Sequence, residues 1–250
     1  MQHARRGIDE GHLQPATAER PTRQRRPISP LTVLGVILLA AGLACLGWVG
    51  WQYFGTTIVS KQEAAREISN LEASWREPVP APTSEPPADP GTPGATAPPA
   101  APEKGTAQWL LRIPALGDDW EWPVVAGVED ADLKRGVGWY PGTAQPGDVG
   151  NFALAGHRIT HGEPFRRMLE LDIGDVVIVE TSSATWTYEL VVAPGMLTVQ
   201  DTETWVLDPV PGKKDVQPSE ALITLTTCED LFHSPDRSVA FGKLISTETK

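Results

Sequence analysis

The chain has 250 residues, 40% of them hydrophobic, and a formal net charge of −11. That balance argues against nucleic acid as a partner, because an acidic surface repels phosphates and no basic stripe follows the first 30 residues. The length allows one or two domains, and the composition changes sharply along the chain.

The N-terminal part combines a basic tail with an apolar run. Residues 1–30 carry six arginines against three acidic residues, and residues 31–54 (LTVLGVILLAAGLACLGWVGWQYF) carry no charge. A helix over the apolar run would reach about 36 Å, enough to cross a hydrocarbon core of about 30 Å. The arginines precede this helix, so the positive-inside rule predicts a type II membrane protein with a cytoplasmic tail. A cleaved signal peptide is the alternative, but the run is long for one.

Residues 55–103 are predicted to connect the membrane helix to an outer domain. Residues 61–75 contain helix-forming residues and favour a short juxtamembrane helix. Residues 78–102 are dominated by Pro, Ala, Thr and Gly, a composition that cannot bury a core. We expect a semi-rigid, Pro-rich spacer that holds the outer domain away from the membrane.

Residues 104–250 are predicted to form a mainly β domain. Short runs rich in Val, Ile, Leu and Thr alternate with Gly, Pro and Asp turns, as in DVVIVETS, TWTYELVVA and ALITLTTC. The best helical candidate is 164–171 (PFRRMLEL), which begins with a proline. The pattern favours a β-barrel or sandwich with one or two short helices.

The candidate nucleophile is Cys228, since the other cysteine, Cys45, lies in the apolar run. A thiol nucleophile needs a proton carrier and a group that stabilises an oxyanion. His157 follows one predicted strand, Cys228 ends another, and Arg237 begins a third, so all three can meet at one rim. The plainer alternatives are a buried core thiol, a hydrogen-bonded imidazole and a surface ion pair. His161 and His233 are interpreted as loop side chains.

The motifs around these residues resemble those of sortases, the membrane-anchored cysteine transpeptidases of the Gram-positive cell surface. TLTTC at 224–228 resembles their TLxTC signature, and Arg237 stands where the family has its catalytic arginine. GNFALAGHR at 150–158 resembles the segment that carries the family's histidine. Residues 139–165 are especially similar to class E sortases of high-GC Gram-positive bacteria. The resemblance covers approximately residues 108–245.

This resemblance implies an eight-stranded sortase-type β-barrel that needs no metal or organic cofactor. Cys228 would cleave a C-terminal sorting signal between Thr and Gly through a thioacyl intermediate, which an amine on a cell-wall precursor would then resolve. His157 would be the general acid and base, and Arg237 would stabilise the oxyanion. The implied partners are secreted proteins with sorting signals and the peptidoglycan amine acceptor. The class E resemblance favours an LAxTG signal over LPxTG.

Five further residues are candidates for substrate binding. Residues 196–219 match the connection that faces substrate in the family, and Trp205 and Leu207 within it would line an apolar groove or pack on the barrel. The others are Tyr140, Thr226 and Thr227, with strand packing as the alternative for the two threonines. No acidic cluster predicts a calcium site, and Asp89-Pro90 lacks the aromatic residue of a pilus-sortase lid.

Two other functions remain compatible with these residues. A cysteine peptidase would hydrolyse the same signal with the same three side chains. A non-catalytic module would bind peptides in the same groove, although retention of a cysteine, a histidine and an arginine together disfavours it.

Overall fold

A computed structural model describes residues 29–76, 102–228 and 235–250. The chain divides between Cys45 and Leu46 into two compact units. Helix α1 (Pro30–Gly50) has a mean hydropathy of 2.3 over its most apolar window, and its side chains are exposed. It is long and apolar enough to be a candidate membrane span.

A second helix, α2 (Thr56–Arg76), follows a π-helical turn at Trp51–Gly55. It is longer than the predicted helix at 61–75, and it contacts strands of the β domain within the same compact unit. The predicted Pro-rich spacer lies outside the described residues except for its last residue, Pro102. Because α2 before it and the β domain after it pack together, it does not separate them, and this part of the prediction was wrong.

The β domain contains nine strands and one short helix, α3 (Asp130–Leu133), among the described residues. The strands are β1 (Ala107–Arg112), β2 (Glu121–Ala126), β3 (Val137–Trp139), β4 (Gly150–Ala155), β5 (Val176–Glu180), β6 (Ala184–Val192), β7 (Thr198–Gln200), β8 (Ala221–Cys228) and β9 (Asp236–Thr249). The predicted helix at 164–171 is only a 3₁₀ turn at Met168–Glu170.

Eight of these strands close a barrel, which confirms the predicted fold class. Their order is β6-β5-β1-β2-β3-β4-β8-β9, and β9 pairs back with β6. Only β2–β3 and β4–β8 are parallel among the described pairs. The 14-residue β9 closes the barrel because its first half pairs with β8 and its second half with β6. The short strand β7 is an addition that pairs with the beginning of β9.

Apolar side chains fill the barrel interior. Trp109 contacts Trp139 and Phe152 edge-on, at centroid distances of 5.6 and 5.4 Å. Tyr188 is fully buried, and its hydroxyl accepts a hydrogen bond of 2.8 Å from the Gly147 N–H. Burial raises the pKa of Tyr188 to about 12, so this residue stays neutral. The filled interior leaves the strand ends as the place where chemistry can occur.

Candidate active site

The parallel pairing of β4 and β8 places His157 next to Cys228. Ala155 pairs with Thr226, so the next two positions of each strand lie side by side. The Gly156 N–H donates to the Thr226 carbonyl over 3.1 Å, and the Thr227 hydroxyl donates to the Gly156 carbonyl over 2.8 Å. These two bonds hold the ends of both strands together immediately before the two predicted reactive residues.

Arg237 lies on the other side of Cys228. In the antiparallel pairing of β8 with β9, Cys228 stands directly opposite Arg237. The Arg237 side chain is 30% exposed, and its Nη2 lies 3.6 Å from an Asp201 carboxylate oxygen. Cys228 is half-buried and has no disulfide partner among the described residues. The structure thus brings the three residues to one end of three adjacent strands, as the strand-end argument expects.

Burial controls the charge of His157. It lowers the pKa of this imidazole from 6.5 to about 4, and the nearby His161 lowers it further when protonated. The negative charge of Asp130 acts in the opposite direction but does not outweigh burial. The Nε2 atom of His157 is buried and has no hydrogen-bond partner within the described ranges. His157 is therefore a neutral imidazole near pH 7, able to accept a proton.

The lowered pKa of His157 predicts a pH-dependent stability. Between pH 6.5 and 4 the unfolded chain binds a proton that the folded chain excludes, so the free energy of unfolding falls as the pH falls. At pH 4.5 this loss is about 2 kcal/mol. We expect denaturant titrations at pH 7.5 and 4.5 to give a smaller difference for His157→Gln than for the wild type. Equal differences would show that His157 titrates normally in the folded protein.

The loop after His157 has an unusual backbone. Thr160, His161, Gly162 and Glu163 all have positive φ, between 47° and 85°. Such a conformation costs about 1–2 kcal/mol for each residue other than glycine, so the surroundings must support it. The His161 ring lies 5.2 Å from the His157 ring, and its Nδ1 is 3.0 Å from the Thr160 hydroxyl. His161 was interpreted as a loop side chain, and the structure places it against His157.

A cavity of about 300 Å³ adjoins the site on the side of Arg237. Tyr140, Thr226, Leu207 and Arg237 contribute to its lining, and the Tyr140 hydroxyl lies 3.4 Å from that of Thr226. Three of the five candidate binding residues therefore share one cavity. Their role in binding stays a prediction.

The other two candidate binding residues make packing contacts instead. Thr227 is 3% exposed, and its hydroxyl bonds to the β4 end. Trp205 does not line the cavity, and its ring packs 6.2 Å from that of Phe241 on β9. His233 lies outside the described residues.

Two residues near the site were not predicted. Arg158 donates from Nη1 to the Cys228 carbonyl over 3.4 Å, and its only sequence signal was its position after His157. Asp201 follows β7 and pairs with Arg237, a contact between residues 36 positions apart that no local pattern reveals. The described residues contain no group of three or more His, Cys, Asp or Glu side chains that could hold a metal ion.

Comparisons with known proteins agree with this architecture. Residues 111–245 match the model of the Sortase domain family. The chain is 33% identical over 238 residues to Sortase SrtE1 of Streptomyces coelicolor, covering 91% of this chain and 62% of that relative. It is 30% identical over 217 residues to Sortase D of Bacillus subtilis, covering 86% and 98%. The crystal structure of Sortase E1 from Streptomyces coelicolor, with a tripeptide in its active site, is 38% identical and covers 58% of this chain and 91% of that one, with a TM-score of 0.52.

Proposed function

The chain belongs to the sortase family, and from this premise we propose that it is a membrane-anchored cysteine transpeptidase acting on C-terminal sorting signals. The observation that carries the proposal is the meeting of Cys228, His157 and Arg237 at one end of three adjacent barrel strands. A thiol, a neutral imidazole and a permanent cation are the groups that acyl transfer through a thioester requires.

In the first step, the Cys228 sulfur attacks the carbonyl carbon of the signal's threonine. The thiol proton passes to His157, whose low pKa keeps its imidazole free to accept it. The C–N bond to the following glycine then breaks, and the protonated imidazole gives its proton to the leaving amine. The products are a thioester on Cys228 and the released C-terminal fragment.

In the second step, an amine on a cell-wall precursor attacks the thioester carbon. His157 takes a proton from the incoming nitrogen, a new amide bond forms, and the C–S bond breaks. The proton returns to the Cys228 sulfur, so the thiol and the neutral imidazole are both restored. No net oxidation or hydrolysis takes place.

Arg237 stabilises the negative oxygen that develops in both steps. Its guanidinium stays charged at any working pH and offers several N–H donors in one plane. The ion pair with Asp201 and a 3.1 Å bond from Nη1 to the Asp236 carbonyl restrict its position. A donor fixed in this way stabilises a transition state better than a mobile one.

The ion pair with Asp201 predicts a modest effect on the reaction. Asp201→Asn is expected to lower kcat/KM by about two- to five-fold, because a partly exposed ion pair contributes at most about 1 kcal/mol. The measurement is kcat/KM at low and high salt, where the difference between wild type and variant should shrink as salt rises. Asp215→Asn, at an exposed position of the same connection, is the matched control. A variant equal to the wild type at low salt would contradict this role of Asp201.

The sorting signal is proposed to bind in the cavity beside Arg237. Tyr140 and Thr226 offer hydroxyl groups there, and Leu207 offers apolar surface. The sequence similarity to class E sortases favours LAxTG over LPxTG as the signal. The tripeptide in the active site of Streptomyces coelicolor Sortase E1 supports a peptide site in this part of the fold.

Helix α1 is proposed to anchor the enzyme in the cell membrane. The arginine-rich residues before it favour a cytoplasmic N-terminus, so the barrel would lie outside the cell. Secreted proteins and cell-wall amines are found on that side, which is consistent with the proposed substrates.

A product analysis tests the proposed function. The full-length protein in detergent micelles would be mixed with LAxTG and LPxTG peptides, with and without an amine acceptor, and the products identified by mass spectrometry. We expect a thioester adduct on Cys228, cleavage after threonine and ligation only when the amine is present. Cleavage without ligation would favour the peptidase, and peptide binding without an adduct would favour the non-catalytic module.

A further inference from the structure

Helix α2 is packed onto the barrel rather than standing free of it. Ser60 and Ala64 are 2% and 4% exposed, and Ala64 belongs to the same apolar cluster as the barrel interior. These residues are one helical turn apart, so a single face of α2 is buried. The opposite face, which includes Ser69, is exposed.

A charged cluster fixes the middle of α2. Glu67 on α2 accepts hydrogen bonds from the Nε and Nη2 atoms of Arg135, the Nε bond measuring 3.1 Å. The third nitrogen of the same guanidinium donates to the Gly105 carbonyl just before β1. Both side chains are partly buried, which favours a persistent pair. Near the end of α2, the Lys250 ammonium lies 5.7 Å from the centre of the Trp75 ring.

The buried face of α2 also touches the loop that follows His157. A β-carbon placed on Gly162 would lie 2.6 Å from the Trp122 ring and 3.5 Å from the Ser60 β-carbon. Gly162 is thus enclosed between α2 and β2, in the middle of the run of positive φ values. An intact Ser60 side chain leaves no room for the loop to move toward the helix.

A second set of contacts leads from the same region back to His157. Trp120, just before β2, donates its indole N–H to the Pro164 carbonyl over 3.1 Å and stacks on Phe165. The Phe165 N–H in turn donates to the His157 carbonyl over 3.0 Å. Residues 157–165 are therefore held from both sides, by α2 at Gly162 and by Trp120 at Pro164.

We propose that α2 is a positioning element of the active site, which holds the loop 157–165 so that His157 lies beside Cys228. This inference rests on the proposed function for its catalytic meaning, but the contacts that carry it do not. The loop residues with positive φ would relax to ordinary conformations without a support, and α2 is one of the two surfaces that prevent this. The helix between the candidate membrane span and the barrel thereby becomes part of the catalytic unit.

The test compares Ser60→Arg with the matched control Ser69→Arg in the full chain in detergent micelles. Arginine at position 60 is too large for the contact with Gly162, whereas position 69 faces solvent. We expect Ser60→Arg to lower kcat about tenfold or more with little change in KM, because a small misplacement of a catalytic group is costly. Ser69→Arg should leave both constants unchanged. A loss of equal size in both variants would overturn the proposal.

A readout that does not need activity separates this proposal from the function. Histidine NMR titration should show the His157 midpoint rising from about 4 toward 6.5 in Ser60→Arg, because a displaced loop exposes the ring. An inactive wild type with this change would sink the proposed function and retain the positioning role. An unchanged midpoint in a variant that is folded by circular dichroism would overturn the positioning role.

A milder pair of variants applies if Ser60→Arg does not fold. Glu67→Gln weakens the bond to Arg135 without adding bulk, and Glu72→Gln removes an ion pair with Arg76 that lies within α2 alone. We expect Glu67→Gln to shift the His157 titration in the same direction by a smaller amount, and Glu72→Gln to leave it unchanged. Identical titrations for both variants would contradict the proposal.

Discussion

Replacement of Cys228 by alanine is expected to abolish transpeptidation. Without the sulfur no thioester can form, and loss of a catalytic nucleophile typically lowers kcat on the order of 10⁶-fold. The barrel should remain folded, because Cys228 is half-buried at a strand end and removal of its sulfur leaves no closed cavity. The measurement is the yield of ligated peptide and of the thioester adduct by mass spectrometry, together with the melting temperature.

The matched control for this variant is Cys45→Ala. Cys45 lies in α1, and its loss removes the other thiol of the chain without touching the barrel. Full activity of Cys45→Ala beside an inactive Cys228→Ala would assign the nucleophile. Continued ligation by Cys228→Ala would disprove the proposed mechanism.

Replacement of Arg237 by glutamine is expected to lower kcat by about 10²- to 10³-fold, the typical cost of losing one oxyanion-stabilising donor. The thioester should still form slowly, since Cys228 and His157 remain in place. Arg237→Lys should recover only part of the loss, because an ammonium lacks the planar set of donors. Single-turnover kinetics of thioester formation, read by mass spectrometry, would measure the effect directly.

Lys243→Gln is the control for the arginine variants. Lys243 is another cation of β9, paired with Glu220 at a distance of 2.9 Å and removed from the site along the strand. We expect its replacement to leave kcat unchanged. A glutamine at position 237 that costs no more than one at position 243 would exclude a role for Arg237 in the transition state.

The strands and the three reactive residues could be predicted because their signals are local. The alternation in ALITLTTC and the turns around it locate β8, and Cys228 ends that strand in both the prediction and the structure. Parallel or antiparallel neighbours whose ends carry reactive groups then bring these groups together. The prediction needed no knowledge of which strands were neighbours, only that their ends share a rim.

The error at 164–171 has a specific physical cause. Phe165, Met168 and Leu171 are buried at intervals of three residues, and the backbone bonds there join residues three apart. Three-residue spacing fits a 3₁₀ geometry as well as one face of an α-helix. A short apolar pattern of this kind does not distinguish between the two.

The packing of α2 and the contact between Asp201 and Arg237 depend on distant parts of the chain. Ser60 and Ala64 are small residues whose burial becomes visible only when Trp122 and Gly162 are placed against them. The acidic residue at 201 looked like any other surface carboxylate. Such pairings require the closed barrel, and no window of sequence contains both partners.

The packing of α2 also changes the thermodynamic meaning of the Pro-rich segment. The 25 residues between Arg76 and Pro102 join two elements that are already in contact, α2 and β1, so the segment closes a loop. The entropy of closing a loop depends only on the logarithm of its length, and doubling the length costs about 0.6 kcal/mol. Relatives of this protein are therefore free to lengthen or shorten this segment during evolution while the catalytic unit keeps nearly the same stability.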